Sequence, residues 1–200
     1  MISFLIRLAE KGFLPDFFIR IGIKQLSKVR LDLAKNSSPD EIEKRHDEWV
    51  RNMKESPIAL VPEKANEQHY EVPPEFFNLV LGKHLKYSSG YWTDNNISLD
   101  ESEEIMLDKT CNRAELEDGQ SILELGCGWG SLTCYMAKRY PKSKIVAVSN
   151  SADQRKMILK RCEFNKLKNV SIITADMNVF SIDEKFDRVI SVEMFEHMRN

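Results

Sequence analysis

The sequence has almost no net charge: 29 lysines and arginines stand against 31 aspartates and glutamates, leaving −2. That balance gives no electrostatic reason to expect nucleic acid as a partner. Cysteine is scarce. Cys111, Cys127, Cys134 and Cys162 include no C-x-x-C pair and no spacing of a small secreted domain. This argues against a disulfide framework or a zinc site, leaves no metal expected, and fits a cytoplasmic, reducing compartment. Long apolar runs are missing as well. Residues 1–23 are apolar but interrupted by Arg7, Glu10, Lys11, Asp16 and Arg20, short of the ~20 continuous residues that span a bilayer. No basic segment precedes a compact apolar core, as a signal peptide requires. Repeats and low-complexity tracts are also absent. What is there, 42% hydrophobic and 30% charged residues, is the composition of a folded chain.

Two patterns divide the sequence, and they predict a helical cap region over 1–117 and a nucleotide-binding domain over 118–200. In the first, Ile2, Leu5 and Leu8, then Phe17, Phe18, Ile21, Leu26, Val29 and Leu33, recur at roughly helical spacing and suit a core. Gly12 and Pro15 punctuate them. Ser38-Pro39-Asp40 reads as a helix start, with acids near the positive end of the dipole. Residues 55–72 form a connector, followed by a short helix expected to bury Phe76, Phe77, Val80 and Leu81. Ser98 and Glu101 have capping-box spacing and open a helix expected to carry Ile105, Met106 and Cys111 toward a core. After Asp118-Gly119 the pattern changes. β-rich runs at Ser121–Leu125, Lys144–Val148, Val170–Thr174 and Phe186–Val192 alternate with helix-length segments at Ser131–Tyr140 and Asp153–Asn165. Such alternation predicts an α/β fold with a parallel sheet and right-handed crossovers.

Gly126, Gly128 and Gly130 follow the first strand and open a helix, so a ligand can approach the backbone there. Their G-x-G-x-G spacing differs from the G-x-G-x-x-G of dinucleotide sites. Glu124, before the first glycine, is placed to accept a hydrogen bond from a ligand amino group. Both details favour S-adenosylmethionine over a nicotinamide dinucleotide. The second strand ends in Ser149-Asn150-Ser151 instead of a ribose-binding acid. Asn150 can bond a ribose hydroxyl through its amide, and the same stretch serves equally as a helix N-cap. Asp176 follows the third strand, where it can accept an adenine amino group with Met177 packed on the ring, or simply end the strand.

Together these motifs resemble the coclaurine N-methyltransferase-like and cyclopropane-fatty-acid-synthase-like methyltransferases from about Gln68 to Asn200, and more weakly in the N-terminal helices. The resemblance rests on Tyr87-Ser88-Ser89-Gly90-Tyr91-Trp92, Leu125–Gly130, Ser149-Asn150-Ser151 with Gln154, Asp176, and Val192-Glu193-Met194-Phe195-Glu196-His197-Met198. It implies a class I methyltransferase Rossmann-like sheet and S-adenosylmethionine as cofactor. It further implies that Tyr87 and Ser88, with Ser89 beside them, lie over the cofactor, while Glu124, Gly126, Gly128, Asn150, Gln154, Asp176 and Met177 line its pocket. From the residues alone, Tyr87–Trp92 reads as an aromatic, polar loop packed on a core.

A helix beginning near Glu193 would put Glu193, Glu196 and His197 at i, i+3 and i+4 on one face. That cluster reads as a site or as a solvated acidic helix start; the resemblance favours a catalytic set. An amine must lose its proton before methylation, which suits a carboxylate or imidazole. In the cyclopropane synthases the position of Glu193 is typically small and that of Ser89 is a cysteine. The expected reaction is therefore methyl transfer to an amine nitrogen of a small molecule. The alternative is methylene transfer to an unsaturated phospholipid acyl chain. Seven basic against three acidic residues in 1–35 leave peripheral contact with an anionic membrane open beside the helical-cap reading. The oligomeric state is not legible. The sequence ends at Asn200, inside the expected helix, with four strands where the resembling families continue with three more. A fragment of a longer enzyme, an inactive truncated product and a module completed by another chain all fit; the first fits best.

Overall fold

A computed structural model describes residues 2–35, 37–60 and 74–199. The chain divides into two compact units, Met1–Met53 and Lys54–Asn200. The first holds α1 (Ile2–Glu10), α2 (Asp16–Lys35) and most of α3 (Pro39–Glu55). Gly12, with φ +72°, turns the chain between α1 and α2. Ser38 opens α3 as expected. Its hydroxyl accepts from the Glu41 N–H at 3.3 Å and the Glu41 carboxylate accepts from the Ser38 N–H at 2.8 Å, so both halves of a capping box are formed. Phe17, Phe18, Ile21, Leu26, Val29 and Leu33, expected in a core, are exposed, and α2 has no buried residue. Helical spacing decides which side chains share a face; it does not decide what covers that face.

The second unit contains α4 (Pro74–Val80), α5 (Leu99–Arg113), β1 (Ser121–Leu125), α6 (Ser131–Arg139), β2 (Lys144–Ser149), α7 (Ala152–Phe164), β3 (Val170–Thr174), β4 (Arg188–Ser191) and a 3₁₀ turn, Phe195–His197. The expected connector falls largely on 61–73, outside the described residues. The unit boundary lies at 53/54, upstream of the expected 117/118, because α5 shares a core with the sheet: Leu107 and Cys111 are buried with Ile122, Met136, Ile145 and Ile190. Among the described side chains of α4 only Phe77 is buried; Phe76 and Val80 are exposed, and Leu81, just past the helix, is half-buried, since so short a helix presents one narrow stripe. In α5 the buried stripe runs Glu103–Leu107–Cys111, with Ile105 and Met106 half-buried at its margins. That is the i, i+4, i+8 row.

The four strands are parallel in the order β3-β2-β1-β4. Alternation along β1 sends Ile122 toward α5 and α6, and Leu123 to the other face, where Val146 and Val148 meet Phe180, Ile182 and Phe186. β2 is buried along five of its six residues, as befits a strand covered on both faces. β4 is shorter than the expected Phe186–Val192 because β1, its partner, offers pairing only from Ile122↔Arg188 to Leu125↔Ser191.

Candidate active site

The carboxyl ends of β1 and β4 meet at one cavity of about 270 Å³, where the loop after β1 faces the loop before α5. The N–H groups of Gly126 and Cys127 both donate to the Val148 carbonyl at 3.0 Å, so β2 holds the loop's start. Gly126 has φ +77°, and a Cβ there would come within 2.8 Å of Met194 Sδ; the bend is compatible only with glycine. Gly130 has φ +74°, and a Cβ would sit 2.6 Å from Ile158 of α7. Gly128 by contrast faces open space, and both Gly126 and Gly128 line the cavity.

Glu124 shares the Ile122 face of β1, which brings it under α6. There Thr133 Oγ1 donates to its Oε2 at 2.6 Å. The residue is 4% exposed. Burial pushes its carboxyl up to about 8, with the Thr133 bond opposing. Glu124 is thus largely protonated at neutral pH, a donor as well as an acceptor.

The Tyr-Ser segment is held by α5. Asp100 Oδ1 accepts from the Lys83 N–H at 2.7 Å. Buried Glu103 accepts from the N–H groups of Gly82, His84 and Lys86 at 2.9, 3.0 and 3.3 Å. Carboxylates in the first two turns of α5 thereby satisfy backbone donors of a loop with no strand partner. Tyr87 packs edge-on against Phe77, ring centroids 5.5 Å apart, and Tyr87 and Ser88 reach the cavity wall.

After β4, Glu193 takes a left-handed backbone, φ +53°. The expected helix from Glu193 is not formed. A single 3₁₀ turn begins at Phe195, closed by His197 N–H to the Met194 carbonyl at 3.0 Å. The i, i+3, i+4 geometry therefore does not apply, yet Glu193, Glu196 and His197 all line the cavity, brought there by the bend at Glu193 and the turn after it.

The structure thus gathers Tyr87, Ser88, Glu124, Gly126, Gly128, Glu193, Glu196 and His197 around one cavity. Ser89, Asn150, Gln154, Asp176 and Met177 are not on its wall. Asn150 is exposed past β2. Gln154 is buried, its Oε1 accepting from Ser149 Oγ at 2.6 Å, and its N–H donates to Ser151, the N-cap of α7. Asp176 Oδ1 accepts from the Asn178 N–H at 2.8 Å, and Met177 packs under the sheet. Sequence reasoning missed Lys86, Thr110, Trp129 and Ser131, which also line the cavity. Trp129 and Ser131 adjoin the glycines, a signal that was available; burial of Lys86 is not readable from its neighbours. Trp129 Nε1 and Ser131 Oγ are buried without a hydrogen-bond partner. Among the described residues, no group of three or more His, Cys, Asp or Glu side chains is arranged to hold a metal ion.

A sequence profile of the family described as Mycolic acid cyclopropane synthetase matches residues 61–200. (S)-Coclaurine N-methyltransferase of Papaver somniferum is 36% identical over 98% of this chain and 56% of its own length. Cyclopropane-fatty-acyl-phospholipid synthase of Escherichia coli (strain K12) is 37% identical over 66% of the chain and 32% of its own length. A crystal structure of coclaurine N-methyltransferase bound to N-methylheliamine and SAH superposes with a TM-score of 0.86 at 34% identity, covering 100% of this chain and 57% of that one. The chain spans just over half the length of these N-methyltransferases.

Proposed function

Given that the chain belongs to the mycolic acid cyclopropane synthetase family, we propose that it is a S-adenosylmethionine-dependent methyltransferase acting on the amine nitrogen of a small molecule. The α/β class I methyltransferase fold, with its parallel sheet and N-terminal helices, is common to this chain and the coclaurine enzyme. One observation carries the functional reading: two carboxylates and an imidazole, Glu193, Glu196 and His197, line the same cavity as the glycine loop.

The cavity suits the cofactor. Trp129 Nε1 and Ser131 Oγ are buried donors awaiting a polar ligand, and the space over Gly128 admits close approach to the backbone. When bound, S-adenosylmethionine supplies the electrophile, a methyl group on a sulfonium. The chain's own residues do the rest. Gly126, Gly128 and Glu124 form the floor, and Tyr87, Ser88 and Ser89 the cover. Asn150, just past β2, Gln154, in the first turn of α7, and Asp176 and Met177, just past β3, serve the nucleoside. Glu193, Glu196 and His197 orient the acceptor nitrogen and take up its proton on a carboxylate oxygen or an imidazole nitrogen. Within the expected 1–117 cap region, the Leu85–Ser88 segment and α5 wall the cavity, and the four free, buried cysteines suit a cytoplasmic location.

Glu196→Gln and His197→Ala in the catalytically competent protein are expected to lower turnover by ~10²-fold or more, with S-adenosylmethionine affinity near that of the parent in calorimetric titration. Unchanged turnover refutes the assignment. Titration with NAD in parallel separates the methyltransferase from an oxidoreductase.

The second reading, acyl-chain cyclopropanation, is favoured by the likeness to the Escherichia coli synthase and by the apolar side chains that α2 exposes beside basic residues. Among the described residues no helix is long and apolar enough to cross a membrane. Co-sedimentation that requires anionic liposomes favours this reading over the first.

A further inference from the structure

The glycine loop and the Leu85–Ser88 segment, far apart in the chain, form two walls of the cavity. Arg161 of α7 joins them. Its guanidinium donates through Nη1 to the Trp129 carbonyl at 2.8 Å and through Nη2 to the His84 carbonyl at 3.2 Å. Phe77, Leu85 and Trp129 also pack together, with Met157 of α7 at their margin. Apolar packing brings the walls together but is non-directional. A planar fork of donors sets direction, because each carbonyl must point at its own nitrogen.

Both carbonyls belong to peptides on which the cavity depends. A trans peptide sets its N–H opposite its C=O. With the Trp129 carbonyl turned to Arg161, the Gly130 N–H is turned the other way and closes the loop on the Cys127 carbonyl at 2.9 Å. Trp129 lines the cavity, and its Nε1 is buried without a hydrogen-bond partner. On the other wall the His84 carbonyl precedes Leu85, whose N–H donates to the Gly82 carbonyl at 2.9 Å. Leu85 has φ +55°, a left-handed conformation that a leucine keeps only where its surroundings hold it. Arg161 and Gly82 grip the peptide in front of this bend by its two ends, and the chain runs on from there to Tyr87 and Ser88. Arg161 also lines a groove of about 920 Å³ between α4 and α7, and Leu85 borders both groove and cavity.

We propose that Arg161 is a positioning residue for the cofactor, whose two-pronged guanidinium fixes one carbonyl on each wall and so sets the gap into which S-adenosylmethionine binds. The proposal rests on the methyltransferase reading above. Walls that are already spaced bind the ligand without first being ordered, and without the fork that ordering is charged against affinity.

The test is calorimetric titration with S-adenosylhomocysteine below the thermal midpoint of each protein. Arg161→Ala is expected to lower affinity by about tenfold or more. Ethylguanidinium in solution should recover most of that loss by entering through the groove, whereas ethylammonium at the same concentration should not. Neither should strengthen binding to the parent. Arg161→Lys keeps the charge but offers a single nitrogen, and should lose about fivefold; it decides the matter alone if Arg161→Ala does not fold. In the unliganded lysine variant the indole N–H resonance of Trp129 should move while those of Trp49 and Trp92 stay. The proposal is overturned if a folded variant binds as tightly as the parent, if ethylguanidinium restores no more than ethylammonium, or if the Trp129 resonance stays in place. A parent that binds S-adenosylhomocysteine but methylates no amine overturns the acceptor reading alone, and a parent that does not bind it overturns both.

Discussion

At the scale of single residues, buried Glu124 gives the cavity much of its character and has a measurable signature. Glu124 is raised from 4.5 to about 8 by burial. An acid with a raised folded value binds its proton more tightly in the native state, so its contribution is fully present below about 4.5 and is lost as pH rises through about 8. Glu124→Gln keeps the partner for Thr133 and removes that titration. The variant is expected to match the parent near pH 4.5 and to exceed it at pH 9 by on the order of a few kcal/mol, read as the difference in thermal midpoints across the two pH values. A parent midpoint that does not fall relative to the variant over this range refutes the assignment. Gly130 makes the complementary steric point. Gly130→Ala combines a left-handed backbone with a 2.6 Å approach to Ile158 Cγ1, an expected loss of about 2–4 kcal/mol. Adding Ile158→Ala should relieve the contact but not the backbone strain, so in urea unfolding the double variant should lose less than the sum of the single losses.

Elements position the site by holding one another's loose ends. α5 begins with a capping box, in which Ser98 and Glu101 satisfy each other's backbone N–H groups, and then turns Asp100 and Glu103 outward to the 82–86 loop. The first device is local and legible from a hydroxyl and an acid three positions apart. The second is not, because a glutamate inside a helix looks like any solvated charge until the fold buries it. Glu103→Ala would leave three backbone donors without an acceptor, at about 1–3 kcal/mol each where they stay buried. It is expected to unfold the loop before the sheet: amide exchange at Gly82, His84 and Lys86 should accelerate by at least tenfold while that of β1 and β2 stays slow. Equal acceleration in both would show that Glu103 supports the whole unit. The 3₁₀ turn after β4 carries a similar lesson. The spacing of Glu193, Glu196 and His197 suggested one helical face, whereas a left-handed residue at Glu193 and a tight turn bring them to the cavity by another route.

Over the whole molecule, α5 and the sheet share one core, in which Leu107 and Cys111 are buried with Ile122, Met136, Ile145 and Ile190. Leu107→Ala is expected to cost about 2–5 kcal/mol in urea unfolding. A loss below about 1 kcal/mol would show that α5 packs without the sheet.

The strand–helix alternation, the glycine loop, the two helix starts at Ser38 and Ser98, and the family likeness were all present in the sequence. Each depends on backbone geometry or on neighbours a few residues apart, and short-range chemistry is written in short stretches of chain. Tertiary structure alone decided that α5 joins the sheet's core, that the N-terminal apolar rows stand exposed, and that β4 is only as long as its partner allows. It also decided that Lys86 and Glu193, far apart in the chain, face one cavity. These outcomes depend on what packs against what, because burial and the interaction of distant charges are properties of the space between elements.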